Sequence, residues 1–260
     1  MAEDCWDPEQ YERFKDERSQ PFRDLAALVR PAPGMRVLDL GCGTGELTAW
    51  LHAMLQATET VGVDSSGAMI SKASGLTLRG LTFAPGDITQ WSAPPGSFDL
   101  IFSNAALQWV PGHLELVPRL RRALGPGGQL AVQVPVNFDH PSHAVAARIA
   151  ALPPFAEALG GKPRESSLLA PEEYATLLHR CGFAEQHVRV QVYGHLLGSR
   201  SEVVEWVKGT LLNYYRARLP EGLFEAFLER YRAALLEELP DEVPYFYPFK
   251  RLLFWGRLPS

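Results

Sequence analysis

The segment Val37–Leu47, which reads VLDLGCGTGEL, limits what this chain can fold into more than any other segment. Three of its first four residues are apolar, which is typical of a strand inside a sheet. Three glycines follow at alternate positions, and a stretch compatible with a helix begins at Glu46. Glycine permits positive φ in a sharp turn and lets a ligand approach bare backbone. The pattern therefore predicts a strand, a tight turn and a helix of an open α/β sheet, with a ligand site at the turn.

The spacing of these glycines bears on which ligand binds there. A second apolar strand, Thr60–Val63, ends in Asp64, where a carboxylate is placed to accept hydrogen bonds from ribose hydroxyls. The dinucleotide fingerprint is G-x-G-x-x-G, whereas this chain has G-x-G-x-G followed by Glu46. An acidic residue at the start of the helix would compete with a pyrophosphate for the helix dipole. The site therefore favours a cofactor with ribose and adenine but no phosphate, such as S-adenosylmethionine, over a nicotinamide dinucleotide.

This segment resembles the first motif of the class I S-adenosylmethionine-dependent methyltransferases. The further motifs follow in the same order, at Val61–Met69, Phe83–Ile88, Phe98–Ala105 and Leu124–Val132. The resemblance implies a doubly wound, Rossmann-like α/β core with a seven-stranded, mostly parallel sheet and a helical cap built from insertions. It implies that Asp64 holds the ribose and Asp87 the adenine amino group. Each motif taken alone has a structural alternative: the glycines serve only the turn, and Asp87 caps a helix or a turn.

The same resemblance implies a set of cofactor-binding residues: Asp39, Gly41, Cys42, Gly43, Gly45, Asp64, Ser65, Met69, Asp87, Ile88, Asn104, Ala105 and Trp109.

Strand and helix signals alternate from residue 35 to about 135, which predicts a parallel sheet covered on both faces. From Pro135 onward, frequent prolines and glycines break the chain into short pieces that are typical of an inserted lid. We expect a helix at 172–182, a strand at 188–193, two helices within 201–239 and a last strand at 251–255. The pattern of residues 8–28 predicts one or two amphipathic helices that are interrupted at Pro21.

These patterns predict three regions. They are an N-terminal helical segment that closes over the cofactor (1–34), a cofactor-binding core (35–135, 172–195 and 250–260) and a helical cap that binds substrate (136–171 and 196–249).

A narrower resemblance indicates the methyl acceptor. Segments similar to those of trans-aconitate 2-methyltransferases lie at Gln10–Arg18, Ser103–His113, Pro141–His143, Val204–Thr210 and Tyr247–Leu252. Members of that family esterify one carboxylate of a small polycarboxylic acid. The motif Asn104–Trp109 is shared with other O-methyltransferases, so a carrier-bound acyl group, a phenol or another natural product is the alternative acceptor. A protein that binds S-adenosylmethionine without catalysis is the other alternative.

Methylation of a carboxylate fits the absence of an obvious catalytic base. A carboxylate is already ionised near neutral pH, so the enzyme mainly has to align the reacting atoms and exclude water. The product from the cofactor would be S-adenosylhomocysteine. The candidate residues for positioning the reaction are Asn104, Trp109 and His113, for which a strand-end cap, a core side chain and a capping or loop role, respectively, are the alternatives. The expected substrate-binding residues are Tyr11, Phe14, Arg18, Gln108, Trp109, Asn137, Asn213 and Tyr214.

One departure from the family pattern concerns the charge of the acceptor. After Trp-Val-Lys-Gly-Thr the family commonly has an Arg-Pro pair, whereas this chain has Leu211–Tyr215. Loss of an arginine removes a possible bidentate clamp for a carboxylate. We therefore predict an acceptor that is less anionic, or more apolar, than aconitate. Lys208, Arg164 and Lys250 are the other cations that would supply the charge.

Composition excludes some partners and compartments. The formal net charge of −5 argues against nucleic acid and anionic membranes, which reward a basic face. The basic cluster at 119–122 fits a solvated helix end. Asp139, His140 and His143 lie close together in the sequence, but the two histidines have no third firm metal ligand beside them, so we expect no metal. The N-terminal residues do not resemble a signal peptide, no run approaches the ~20 apolar residues of a membrane span, and three scattered cysteines predict no disulfide framework. These features predict a cytoplasmic protein; its oligomeric state is not readable from the sequence.

Overall fold

The computed structural model of the chain describes residues 15–161 and 166–260, and side chains from residue 19 onward. The described residues form two compact units. We call residues 15–135, 167–191 and 251–260 the sheet unit, and residues 136–161, 166 and 192–250 the helical unit. The predicted N-terminal segment and the role of the insertions as a cap stay predictions.

Seven strands form one sheet in the order β3-β2-β1-β4-β5-β7-β6. The strands are β1 (Arg36–Leu40), β2 (Glu59–Asp64), β3 (Leu81–Pro85), β4 (Phe98–Asn104), β5 (Leu124–Pro135), β6 (Glu185–Leu197) and β7 (Tyr245–Arg257). Neighbours from β3 to β5 pair in parallel, and β7 pairs antiparallel with β5. This topology confirms the predicted doubly wound, Rossmann-like α/β fold.

The helices connect and follow these strands. They are α1 (Lys15–Ala26), α2 (Glu46–Leu55), α3 (Gly67–Ala73), α4 (His113–Arg122), α5 (Pro141–Ala150), α6 (Phe155–Ala158), α7 (Pro171–Arg180), α8 (Glu202–Lys208), α9 (Leu211–Arg216) and α10 (Glu221–Glu238), with one turn of 3₁₀ helix at Leu107–Trp109.

The central strands are apolar because both faces of the sheet are covered. Val37, Leu38 and Leu40 on β1 are fully buried, which is the pattern of a parallel strand between two helical layers. Helix α1 packs on β4 and β5, and the ring of Phe22 lies 4.7 Å from that of Phe102 between centroids. The carboxyl ends of β1, β2, β4 and β5 lie at one edge of this sheet, where open α/β sheets bind their ligands.

Helix α1 corrects the prediction of a break at Pro21. The helix runs through this proline, and Pro21, Phe22, Leu25 and Ala26 are all buried. Proline inside a helix removes one backbone hydrogen bond and usually kinks or ends the helix. Packing of the apolar side of α1 on the sheet outweighs this local preference.

Two other expectations are corrected. The segment 201–239 forms three helices instead of two, because α8 ends at Gly209, a residue of low helix propensity. The arginines of α4 are not simply solvated. Arg119 donates to the carbonyl of Ile88 at 3.0 Å, and Arg121 donates to the carbonyl of Cys181 at 3.1 Å. These two arginines satisfy loop carbonyls, while Arg122 is exposed.

The helical unit has an aromatic core of its own. Helices α5 and α10 pack together, and Phe227 of α10 is fully buried. Its ring lies 5.4 Å from Phe155 in a perpendicular arrangement and 4.7 Å from Tyr215, between centroids. Trp206 of α8 lies 5.7 Å from Tyr247 of β7 in the same cluster. Within the described residues no helix has the length and apolar character needed to cross a membrane.

A buried amide ties the segment after α1 to the sheet. Gln129 of β5 is 3% exposed. Its Oε1 accepts from the backbone N–H of Arg30 at 2.8 Å and from the indole N–H of Trp255 at 3.0 Å. Its Nε2 donates to the carbonyl of Arg30 at 2.8 Å. One side chain therefore satisfies both backbone polar groups of Arg30 and the buried indole N–H of Trp255.

Replacing this amide with an apolar side chain should be costly. We expect Gln129→Leu to lower the free energy of unfolding by about 2–4 kcal/mol, because one buried and two partly buried polar groups lose their partner. Chemical denaturation measures the change, with the exposed Gln90→Leu as the control, for which we expect no significant change. A loss below about 1 kcal/mol for Gln129→Leu would contradict the assignment.

Candidate functional site

The three glycines between β1 and α2 all have positive φ, of 81°, 55° and 78° at Gly41, Gly43 and Gly45. Two of them are required by packing. A Cβ at Gly41 would lie 2.2 Å from the Cβ of Ala106, and one at Gly45 would lie 2.6 Å from Cζ of Phe83. A Cβ at Gly43, in contrast, would have no described atom within 4 Å. Gly43 therefore presents open backbone on which a ligand can rest.

The carboxylate of Asp64 holds this turn in place. Its Oδ2 accepts from the backbone N–H of Gly43 at 2.9 Å, and its Oδ1 accepts from that of Ser66 at 2.9 Å. The carbonyl of Val63 accepts from the N–H groups of Gly41 and Cys42. Each carboxylate oxygen has a further lone pair, so Asp64 can hold the turn and still accept hydrogen bonds from a ligand.

A second carboxylate lies beneath the turn. Asp39 is 2% exposed, and its Oδ2 accepts from Oγ1 of Thr48 at 2.6 Å. Burial raises the pKa of Asp39 to about 7, with Thr48 opposing the rise and the charge of Asp64 adding to it. Burial also raises the pKa of the Cys42 thiol, which therefore stays neutral near pH 7. Asp39 thus braces β1 against α2 from inside the fold.

The turn after β4 contains two buried acceptors that lack donors. Among the described residues, Oδ1 of Asn104 and Oε1 of Gln108 have no hydrogen-bond partner. Nε2 of Gln108 donates to the carbonyl of Ala105 at 2.7 Å, and Ala105 has a φ of 55°. Buried acceptors are nearly always satisfied in folded proteins, so unsatisfied ones call for an explanation. A bound molecule that donates hydrogen bonds is such an explanation.

His113 is engaged inside the fold through both ring nitrogens. Its Nε2 lies 3.0 Å from the carbonyls of Leu107 and Val110, so Nε2 carries the proton and donates. Its Nδ1 therefore accepts from the hydroxyl of Tyr174 at 2.6 Å. Burial lowers the pKa of His113, which keeps the ring neutral. This arrangement fits a loop or capping role for His113, which the sequence left as the alternative to donation to the substrate.

The predicted adenine contact, Asp87, is exposed. Its Oδ1 accepts from the N–H of Thr89 at 2.8 Å and its Oδ2 from Oγ1 of Thr89 at 2.6 Å. These hydrogen bonds lower the pKa of Asp87. The structure thus contains the turn cap that the sequence left as an alternative, and contact with adenine stays a prediction. Ile88, which follows Asp87, and Met69 are buried, while Ser65 is exposed.

The predicted substrate residues fall in different places. Tyr11, Phe14 and the side chain of Arg18 lie outside the described residues. Asn137 in the helical unit is 1% exposed, and its Oδ1 accepts from the N–H of Lys250 at 3.0 Å. Asn213 and Tyr214 on α9 are half-buried, and the guanidinium of Arg218 lies 3.9 Å from the ring of Tyr214.

The cations proposed to replace the family arginine carry less free charge than expected. Lys208 pairs with Glu205 at 2.7 Å, and Lys250 pairs with Asp139. Arg164 lies outside the described residues. Lys208 and Lys250 are therefore each neutralised by a neighbouring carboxylate of their own unit.

The histidines after β5 form a helix cap. Nδ1 of His140 accepts from the N–H of Ser142 at 3.1 Å, and Oγ of Ser142 lies 3.0 Å from Nδ1 of His143. Burial lowers the pKa of His140 to about 4. Over 15–161 and 166–260, no group of three or more His, Cys, Asp or Glu side chains is placed to hold a metal ion.

One buried pair at the carboxyl edge of the sheet was missed from the sequence. Gln133 of β5 is fully buried, and its Oε1 accepts from Nη1 of Arg251 on β7 at 3.4 Å. The signal that would have found it is a polar residue inside an otherwise apolar central strand, Leu130–Pro135.

Comparison with known proteins agrees with this geometry. A family model described as a methyltransferase domain matches residues 37–128. The trans-aconitate 2-methyltransferase of Deinococcus radiodurans is 45% identical over 98% of this chain and 99% of its own length. That of Methylobacterium nodulans is 40% identical over 97% of this chain and 98% of its own.

Solved structures share the fold at lower identity. The YcgJ protein from Bacillus subtilis superimposes with a TM-score of 0.61 at 17% identity, over 93% of this chain and 99% of that chain. A phosphoethanolamine N-methyltransferase 2 of Haemonchus contortus, in complex with S-adenosylhomocysteine, superimposes with a TM-score of 0.56 at 18% identity, over 93% of this chain and 53% of that chain.

Two glycine variants separate packing from ligand access. We expect Gly45→Ala to lower the free energy of unfolding by about 2–4 kcal/mol, because its Cβ overlaps Phe83 and φ is positive. Gly43→Ala should cost only about 1–2 kcal/mol. It should, however, weaken binding of S-adenosylmethionine by about tenfold or more, because its Cβ fills the open face. Denaturation and titration calorimetry measure the two effects; unchanged affinity in Gly43→Ala would contradict the site.

The buried carboxyl of Asp39 should make stability depend on pH. Its folded pKa of about 7 lies above that of an unfolded aspartate, so between about pH 4 and 7 unfolding releases a proton. The free energy of unfolding should therefore fall as pH rises through this window, by at most about 1.4 kcal/mol per pH unit from this group. Asp39→Asn lacks this titration, so its stability relative to the unmodified chain should rise from pH 4.5 to 7.5. An equal difference at both pH values would argue against the buried carboxyl.

Proposed function

This chain belongs to the trans-aconitate 2-methyltransferase family, and from that premise we propose that it methylates one carboxylate of a trans-aconitate-like acid by in-line displacement. It is an S-adenosylmethionine-dependent methyltransferase that acts on a small carboxylic acid. The observation that carries the assignment is the 45% identity over 98% of the chain, since it includes the insertions as well as the cofactor motifs.

The residues at the turn suit this cofactor. The open face of Gly43 accommodates a ligand, and the spare lone pairs of Asp64 suit ribose hydroxyls. The unsatisfied Oδ1 of Asn104 would accept from an ammonium group. When bound, S-adenosylmethionine supplies a methyl group activated by sulfonium, and S-adenosylhomocysteine is the product. Asp64 and Glu46 place carboxylates at the turn, which favours a cationic cofactor over a pyrophosphate.

The chain's own contribution to catalysis is positioning. The acceptor carboxylate is ionised near neutral pH and needs no base. His113 is neutral, buried and bonded through both nitrogens, so it does not act as one. Gln108 and Trp109 on the turn after β4 are proposed to hold the acceptor beside Asn104 and to exclude water. Alignment of this kind accounts for a large part of the barrier in two-substrate reactions.

The proposal is tested by transfer of labelled methyl from S-adenosylmethionine to a panel of acids. The panel contains trans-aconitate, its mono- and dicarboxylic analogues, a long-chain acid and a phenol. We expect label in a product that mild base hydrolyses, because methyl esters are labile whereas ethers and methylamines survive. A base-stable product, or turnover of the phenol alone, would move the acceptor to another class. Binding of the cofactor without turnover of any acid would contradict carboxylate methylation.

A further inference from the structure

A polar pair is buried at the carboxyl edge of the sheet, outside the cofactor turn. Gln133 of β5 is 0% exposed and Arg251 of β7 is 5% exposed. Nη1 of Arg251 donates to Oε1 of Gln133 at 3.4 Å. Nε2 of Gln133 has no hydrogen-bond partner among the described residues. A buried amide N–H₂ without an acceptor is costly, so we expect a bound molecule to supply the acceptor.

Strand register places this pair beside Asn104. Asn104 of β4 is the register partner of Gln133, and Arg251 is that of Pro135. Residues in register, and residues two apart on one strand, point to the same face of a sheet. Asn104, Gln133 and Arg251 therefore share one face at the edge where the strands end. Phe102, two residues before Asn104, is the residue against which Phe22 of α1 packs on this face.

The chemistry of the pair selects an anion. Because Oε1 of Gln133 faces the guanidinium, the amide orientation is fixed and Nε2 is directed elsewhere as a donor. The arginine is positively charged at every relevant pH. A donor N–H₂ next to a permanent cation offers no lone pair to a metal ion. It matches a carboxylate, whose oxygens only accept.

We propose that Gln133 and Arg251 form a clamp for a carboxylate of the acceptor that is not methylated. This inference rests on the proposed function. Donors that hold the oxygens of a carboxylate lower its nucleophilicity, so this pair suits a carboxylate other than the reacting one. The acceptor then has at least two carboxylates. One clamp serves one extra carboxylate, which favours a dicarboxylic acid.

Two conservative variants test the clamp. Arg251→Lys keeps the charge but loses the planar fork, and Gln133→Glu keeps the shape but pairs with Arg251 and repels a carboxylate. Arg257→Lys is the matched control, since Arg257 is the last residue of β7 and bonds Glu185 and the carbonyl of Gly127. Each variant is assayed for KM and kcat with a dicarboxylic acid and its monoacid analogue. Titration calorimetry gives its affinity for S-adenosylmethionine.

We expect KM for the dicarboxylic acid to rise about 10- to 100-fold in Arg251→Lys and Gln133→Glu, as loss of charge-assisted hydrogen bonds predicts. KM for the monoacid, cofactor affinity and the Arg257→Lys control should stay unchanged. If Arg251→Lys does not fold, Gln133→Glu decides alone. An unchanged ratio of the two KM values, or equal losses with both acids, would overturn the clamp. Absence of ester formation by the unmodified chain with every acid would instead overturn the proposed function.

Discussion

The hydrogen bond from the N–H of Gly43 to the carboxylate of Asp64 is the interaction on which the rest of the site depends. It joins the turn after β1 to the end of β2, so two neighbouring strands fix one loop. The glycines on either side are packed against Ala106 and Phe83, which leaves Gly43 as the residue with an open face. The turn is therefore packed against the protein at Gly41 and Gly45, and its backbone is open at Gly43, where we propose that the ligand binds.

Rigid placement also explains how the chain catalyses without a base. A carboxylate acceptor arrives ionised, so proton transfer is not part of the reaction. The histidine nearest the turn after β4 is used as a brace, with Tyr174 and two backbone carbonyls holding its ring. The buried Asp39 and Thr48 brace β1 against α2 in the same way. The fold thus uses several titratable groups as structural supports, which is consistent with the proposed catalysis by positioning.

The sequence predicted the features that depend on neighbours along the chain. Glycine spacing and the acid after the second strand located the turn, and alternating patterns gave the α/β sheet. Features that depend on tertiary packing were predicted wrongly or were missed. Local preference indicated a break at Pro21, but burial of Phe22 and Leu25 keeps α1 continuous. The pair of Gln133 and Arg251 is separated by 118 residues, and only the antiparallel register of β5 and β7 brings it together.

Direct binding of the cofactor tests the central claim of a turn built for a nucleoside without pyrophosphate. Titration calorimetry of the full chain would be run with S-adenosylmethionine and, separately, with NAD. The account predicts saturable binding of one S-adenosylmethionine per chain and no binding of NAD. Saturable binding of NAD, with none of S-adenosylmethionine, would contradict it.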